Sequence, residues 1–159
     1  MTAAALAVPG AEGAAAVVID TNIALDLLLF NDPAAQPLRE SLVQQRLYWL
    51  ATAPMREELA RVLGYDKLRQ RLESAGLAAT QVLAGFDALA QRVQAPARAC
   101  LVCRDADDQM FVDLAVARRC LLLTKDRDLL SMKKKLAGLQ VFTHTALTAQ
   151  NASSTSPGV

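Results

Sequence analysis

The sequence predicts an α/β domain built on a central, mainly parallel sheet. Three observations carry that reading. Apolar runs of strand length recur along the chain, at 16–20, 48–50, 99–103, 120–123 and 139–142. Amphipathic segments of helical periodicity lie between them, the alternation that produces parallel strands joined by crossovers. The 159 residues make one domain by length, enough to bury a core of its own. That core must be mostly Leu, Val and Ala, since 53% of the residues are hydrophobic and only 4% aromatic.

The elements follow in order. Residues 1–14, MTAAALAVPGAEGA, lack the basic start and sustained apolar stretch of a signal peptide, so a flexible tail is expected there. Val17-Val18-Ile19 reads as a buried strand that stops at Asp20. The run 22–30 is apolar on most faces, consistent with a buried helix, and Asn31-Asp32-Pro33 breaks it. Asp26 on that helix is expected at a solvent-facing margin. Pro33 to Gln45 reads as a second helix with Leu38, Leu42 and Val43 inward, and Tyr48-Trp49-Leu50 as a short strand. Pro54 suits a first helical position, where a missing N–H costs nothing. The helix that it opens is followed by Asp66–Ser74 and Ala79–Arg92, separated by Ala75-Gly76, so 54–94 reads as a helical insertion or flap against the sheet. Ala99–Cys103 is strand-like, Asp107–Arg119 helical and Cys120–Leu123 strand-like again, and Leu139–Phe142 closes the series. The domain then spans 15–145, and 146–159 has the composition of a flexible tail.

Several function classes drop out. No stretch reaches the roughly 18 apolar residues of a membrane span, so no membrane is expected, and the lack of a signal-peptide pattern makes the cytoplasm the expected location. A net charge of +1 gives no global field, so any nucleic-acid binding must rest on a local patch. A zinc site takes about four ligands. Cys100 and Cys103 form a single C-x-x-C, and the lone His144 is far away, so the cysteines read as buried packing.

Ligands of open parallel sheets bind outside the carboxyl ends of the strands. Here those ends carry acids: Asp20 after the first strand, Asp105, Asp107 and Asp108 after 99–103, and Asp126 after 120–123. Asp20 could simply cap the helix that follows it, and Asp126 the helix from Arg127. Asp105 is placed as an N-cap, with Asp108 three residues on as in a capping box. Met110, Phe111, Leu114 and Ala117 mark the inward face of the next helix. Asp107 would then point to the centre of that face and Asp108 to its margin, where a carboxylate beside a cleft is better placed. On the helix from Pro54, a rotation of about 100° per residue puts Met55, Leu59, Val62 and Leu63 on one stripe. Glu57 falls on the far side and Glu58 at the edge of the stripe.

The string VVIDTN, the Glu-Leu of EELARVL, D-x-x-F-x-x-x-A at 108–115 and T-x-D at 124–126 together resemble the PIN domain over roughly residues 16–143. The wording RDADDQMFVDLAVARRCLLLTKDRDLL is especially similar to toxin components of bacterial toxin–antitoxin systems and, more loosely, to the VapC-type toxins. This resemblance implies an α/β/α sandwich and an endoribonuclease that binds Mg²⁺ or Mn²⁺ through acids at the carboxyl edge of the sheet. Carried over by position, the catalytic and metal-binding acids are Asp20, Glu58, Asp108 and Asp126, with Thr21, Asn22 and Thr124 in support. Asp108 precedes Thr124 by sixteen residues, as the family's spacing implies. The position after Thr124, often small or neutral in that family, is Lys125 here, a departure from the pattern, and each acidic doublet leaves one residue of ambiguity.

The chemistry is coherent without the family. Clustered carboxylates raise one another's pKa, and a divalent ion with oxygen ligands relieves them while activating water and holding a phosphate. Phosphate contacts would come from Arg56, Arg61, Arg104, Lys125, Arg127 or the run Lys133–Lys135, with Phe30, Tyr48, Trp49 and Tyr65 the aromatics near loops or helix ends. RNA is the expected substrate. A cognate antitoxin and a second copy of the chain are the expected protein partners. The competing readings are a catalytically silent RNA-binding or interaction module, and a phosphatase or DNA flap-type nuclease.

Overall fold

The computed structural model describes residues 15–148. The expected tail 1–14 lies outside the described residues, as does 149–159. Of the remainder of the expected C-terminal tail, Leu147 is buried against the core.

Five strands, β1 (Ala15–Ile19), β2 (Leu47–Ala51), β3 (Ala90–Arg92), β4 (Leu121–Leu123) and β5 (Phe142–His144), form one sheet in the order β3-β2-β1-β4-β5. Every neighbouring pair is parallel. Val17, Val18, Ile19 and Leu121–Leu123 are essentially inaccessible to solvent. Helices flank the sheet, so its central strands have no solvent face and read as unbroken apolar runs without polar alternation.

The helices are α1 (Thr21–Leu25), α2 (Gln36–Val43), α3 (Ala53–Leu63), α4 (Asp66–Ala75), α5 (Ala79–Leu89), α6 (Gln109–Arg118), α7 (Arg127–Leu130) and α8 (Lys133–Gly138). Helix α1 widens into a π-helical turn over Asp26–Phe30, which closes on Asn31 in the left-handed region at φ 50°. Helix α4 ends at Gly76, φ 68°, where the absence of a Cβ makes the left-handed cap inexpensive. Helices α3 to α5 together form the crossover from β2 to β3. Trp49 of β2 meets Phe86 of α5 edge-on, with ring centroids 4.9 Å apart. Trp49 is therefore a core residue and no stacking platform. Among the described residues, no helix is long and apolar enough to cross a membrane.

Four sequence expectations shift. Ala99–Cys103 is not a strand; its place in the sheet is taken by β3, at the end of what read as the helix Ala79–Arg92. The 99–103 segment is instead tied to α6 by side chains. Gln109 accepts from the Cys103 N–H at 2.7 Å and donates to the Leu101 carbonyl at 2.9 Å, and Asp113 accepts from the Ala99 N–H at 2.8 Å. These bonds satisfy backbone groups that a sheet would otherwise have to satisfy. Cys103 and Cys120 are buried as expected, but Cys100 is exposed. Val43 is 62% exposed, because Leu38 and Leu42 already define the buried stripe of α2 and Val43 lies one residue further round. On α6 the buried face is Phe111, Val112, Leu114 and Ala115, with Ala117 outside it.

Candidate active site

The chain runs outward from β1 to β2 and β3, then returns to the other side of β1 for β4 and β5. The order reverses between β1 and β4, and a crevice opens at the carboxyl ends of such a pair. Asp20 leaves β1 there, its N–H still bonded to the Leu123 carbonyl of β4 at 2.9 Å. Thr124 leaves β4 beside it.

Asp20 is a helix cap and more than a cap. Its Oδ1 accepts from the Asn22 N–H at 2.7 Å, capping α1, while its Oδ2 accepts from the Thr124 hydroxyl. The residue is buried. Burial pushes its pKa up, the Thr124 and Asn22 bonds pull it down, the Asp126 charge adds to the rise and Lys125 opposes it. Thr124 is a hub. The oxygen that donates to Asp20 also accepts from the Asp126 N–H at 3.0 Å. Asp126 in turn caps α7 through Oδ1, which accepts from the N–H groups of Asp128 at 2.8 Å and Leu129 at 3.3 Å.

Asp108 comes to this edge from a loop and not from a strand. Asp105 caps a short 3₁₀ turn, Ala106–Asp108, by accepting from the Asp107 N–H at 2.9 Å. Asp108 is the last residue of that turn and is half-buried, whereas Asp107 is exposed and does not enter the face of α6. A 3₁₀ turn advances about three residues per turn, so the α-helical projection used for the doublet does not apply. The Asp108 Oδ2 is buried without a hydrogen-bond donor. The Asp126 carboxyl lies within hydrogen-bonding reach of the Asp108 side chain. Burial first, then the charges of Asp126, Asp105 and Asp20, push the Asp108 pKa up to about 7.

Glu58 stands where the helical projection put it, half-buried at the edge of the Met55–Leu59–Leu63 stripe, and Glu57 is exposed. The Thr21 hydroxyl donates to Glu58 Oε2, and Arg61 Nη2 is 3.8 Å from Oε1. Burial raises the Glu58 pKa, the Thr21 bond and Arg61 lower it, and Asp107 and Asp20 raise it further. Asp20 thus acts electrostatically on both Glu58 and Asp108, so the four predicted acids share one field. The structure brings Thr21 to Glu58 and Thr124 to Asp20 as hydroxyl donors. Asn22 contributes its backbone N–H, with its side chain exposed.

Hard oxygen donors around an orphaned, buried carboxylate oxygen suit a hard divalent cation. Among the described residues no three His, Cys, Asp or Glu side chains gather closely enough to hold an ion by themselves. The set therefore suits an ion that keeps much of its water shell and takes one or two protein carboxylates, as Mg²⁺ does.

Of the candidate cations, Arg56 is held in a two-bond pair with Asp87, both bonds 2.8 Å, and Lys125 is held by Asp26 at 2.5 Å. Arg104, Arg127 and Lys133–Lys135 are exposed. Two side chains escaped the sequence reading. Asp26 is buried and not solvent-facing, because Lys125 reaches across from the β4 exit to neutralise it. Gln109 is the strut that positions the loop ahead of Asp108, and only its place on the first turn of a helix next to an apolar run hinted at burial.

Comparison with known proteins agrees with this geometry. The family profile described as PIN domain matches residues 16–128, more than half of the chain, a span that contains Asp20, Glu58, Asp108 and Asp126. The chain is also similar to the uncharacterized protein MJ1680 of Methanocaldococcus jannaschii, with 23% identity over 125 residues that make up 79% of each chain.

Proposed function

The chain belongs to the PIN domain family, a family of nucleases that typically use divalent metals, and on that premise we propose that it is a Mg²⁺- or Mn²⁺-dependent endoribonuclease and the toxin half of a toxin–antitoxin pair. The observation that supports this reading best is the Asp108–Asp126 pair. Two carboxyls face each other beside Asp20, the Asp108 pKa is pushed up to about 7, and the neighbouring Lys125 ammonium is engaged by Asp26 instead. Of Asp20, Asp108, Asp126 and Glu58, one or two would hold the ion directly and the others would act through its water shell. When bound, such an ion neutralises the carboxylates, makes a bound water acidic and clamps the oxygens of the phosphate.

The protein's own part is orientation. Thr124 fixes Asp20 and Asp126 relative to each other through one hydroxyl, so the acids after β1 and β4 move as a unit. Thr21 holds Glu58 against the same crevice. The reaction needs no Ser or Cys nucleophile. Cys103, the thiol nearest the site, is pushed up to about 11 by burial and by the surrounding carboxylates, so it is protonated at neutral pH.

The test is cleavage of single-stranded RNA, single-stranded DNA and a phosphomonoester against rising Mg²⁺ or Mn²⁺. Cleavage of RNA alone supports the reading, activity only on DNA or on the monoester replaces the substrate, and no activity with any metal leaves the silent module. The protein partners are part of the proposal. The antitoxin would cover the acidic crevice with basic side chains, so expression of this chain alone should arrest growth. A homodimer would cover apolar surface, and a strict monomer in light scattering at tens of micromolar counts against it.

A further inference from the structure

A cavity of about 210 Å³ opens at the β4 exit, lined by Leu123 and Lys125. Ile23, Leu38, Leu123 and Leu147 form its apolar walls. Three charged side chains enter it: Asp26 and Lys125, paired at 2.5 Å, and Asp32, whose Oδ1 accepts from the Ala34 N–H at 2.9 Å. Lys125 stands between Thr124 and Asp126 in the chain, and its charge acts on Asp20. The cavity therefore adjoins the acidic crevice. The π-helical turn that begins at Asp26 and the left-handed Asn31 deliver both carboxylates to it, an irregularity of the kind often found at functional sites.

The chemistry narrows the occupant. Two carboxylates against one ammonium leave a net negative charge, which repels a phosphate. Asp26 is already neutralised, and the apolar walls offer a cation few further ligands. The volume is below the roughly 300–1,000 Å³ of pockets that enclose drug-sized ligands, so the space suits one ring system. A ring that satisfies both signs needs adjacent N–H donors for a carboxylate and a carbonyl or ring nitrogen for the ammonium. Among the nucleobases, guanine alone offers two neighbouring N–H groups on its Watson–Crick edge together with O6 and N7 as acceptors.

We propose that this cavity is a guanine subsite, in which Asp32 accepts from the N–H edge of an unstacked base and Lys125, positioned by Asp26, donates to its O6. The subsite rests on the RNA-cleaving reading for its purpose, since a base held there sets which phosphate reaches the acids, but its binding is measurable without cleavage. The experiment is NMR titration of the full chain, free of divalent metal, with guanosine, adenosine, cytidine and uridine. Guanosine should bind at least about tenfold more tightly than the others. Asp32→Asn and Lys125→Met should each weaken it by about tenfold, and Leu38→Trp should abolish it by filling the space. Should Leu38→Trp fail to fold, Ala34→Phe at the exposed rim serves the same end. Equal binding of the four nucleosides, no binding at all, or guanosine binding undisturbed by Ala34→Phe overturns the subsite. Guanosine binding by a chain that cuts no RNA overturns the nuclease reading and leaves the subsite standing. RNA cleavage without guanosine binding does the reverse.

Discussion

Two carboxylates flank the turn that leaves β4, and the protein treats them in opposite ways. Asp26 is buried and receives the ammonium of Lys125 at 2.5 Å. Asp108 is half-buried, has an oxygen without a donor, and faces a second carboxyl. Burying a charge without a partner costs several kcal/mol, so on one side the chain supplies its own cation and on the other it leaves the charge to something outside itself. Asp26 finds its compensation within the chain. Asp108 keeps a deficit, of the kind that a divalent cation or a proton corrects.

The sharpest way to break this comparison is to remove an acid from the uncompensated side. Asp20→Asn keeps the α1 cap, since Asn caps about as well as Asp, yet RNA cleavage against Mg²⁺ or Mn²⁺ should fall by orders of magnitude with circular dichroism unchanged. Asp108→Asn and Asp126→Asn should behave alike. Full activity in Asp20→Asn would return that residue to a cap.

On the compensated side the effect should appear in stability. Lys125→Met leaves Asp26 buried without a partner, and denaturant titration should show a loss of about 1–3 kcal/mol, less than for a fully enclosed pair because Lys125 itself is about half exposed. An unchanged midpoint would mean that the pair contributes nothing.

A smaller effect separates the two sides by pH. The Asp108 pKa stands at about 7 in the folded chain against the ordinary 3.8, so between those values the folded state holds a proton that the unfolded state has released. Stability from this group therefore falls as pH rises through that window. Thermal melts of the metal-free protein should decline from about pH 4 to about pH 7, and Asp108→Asn should flatten the decline. Added Mg²⁺ should restore the melting point at the alkaline end. The smallest effect belongs to Glu57→Gln, an exposed change expected to stay within about 0.5 kcal/mol and to leave cleavage intact.

The sequence by itself determined the class of fold and much of the site. Short apolar runs unbroken by polar alternation and set between amphipathic segments read as strands covered on both faces, which placed β1 and β4 and hence Asp20 and Asp126. Helical rotation separated Glu58 from Glu57, because α3 is regular and its stripe unambiguous. What tertiary structure alone decided lies where local geometry is irregular or a partner comes from far along the chain. The 99–103 segment has strand composition, but Gln109 and Asp113 satisfy its backbone, so the strand went to Ala90–Arg92. Asp26 looked like a surface acid because its partner is 99 positions away, and nothing in a helical pattern announces a cation arriving from another strand. The Thr124 hydroxyl that joins Asp20 to Asp126 spans 104 positions. Periodicity reports which face of an element is apolar. Which distant charge meets that face depends on how the elements are stacked, and only the folded chain settles it.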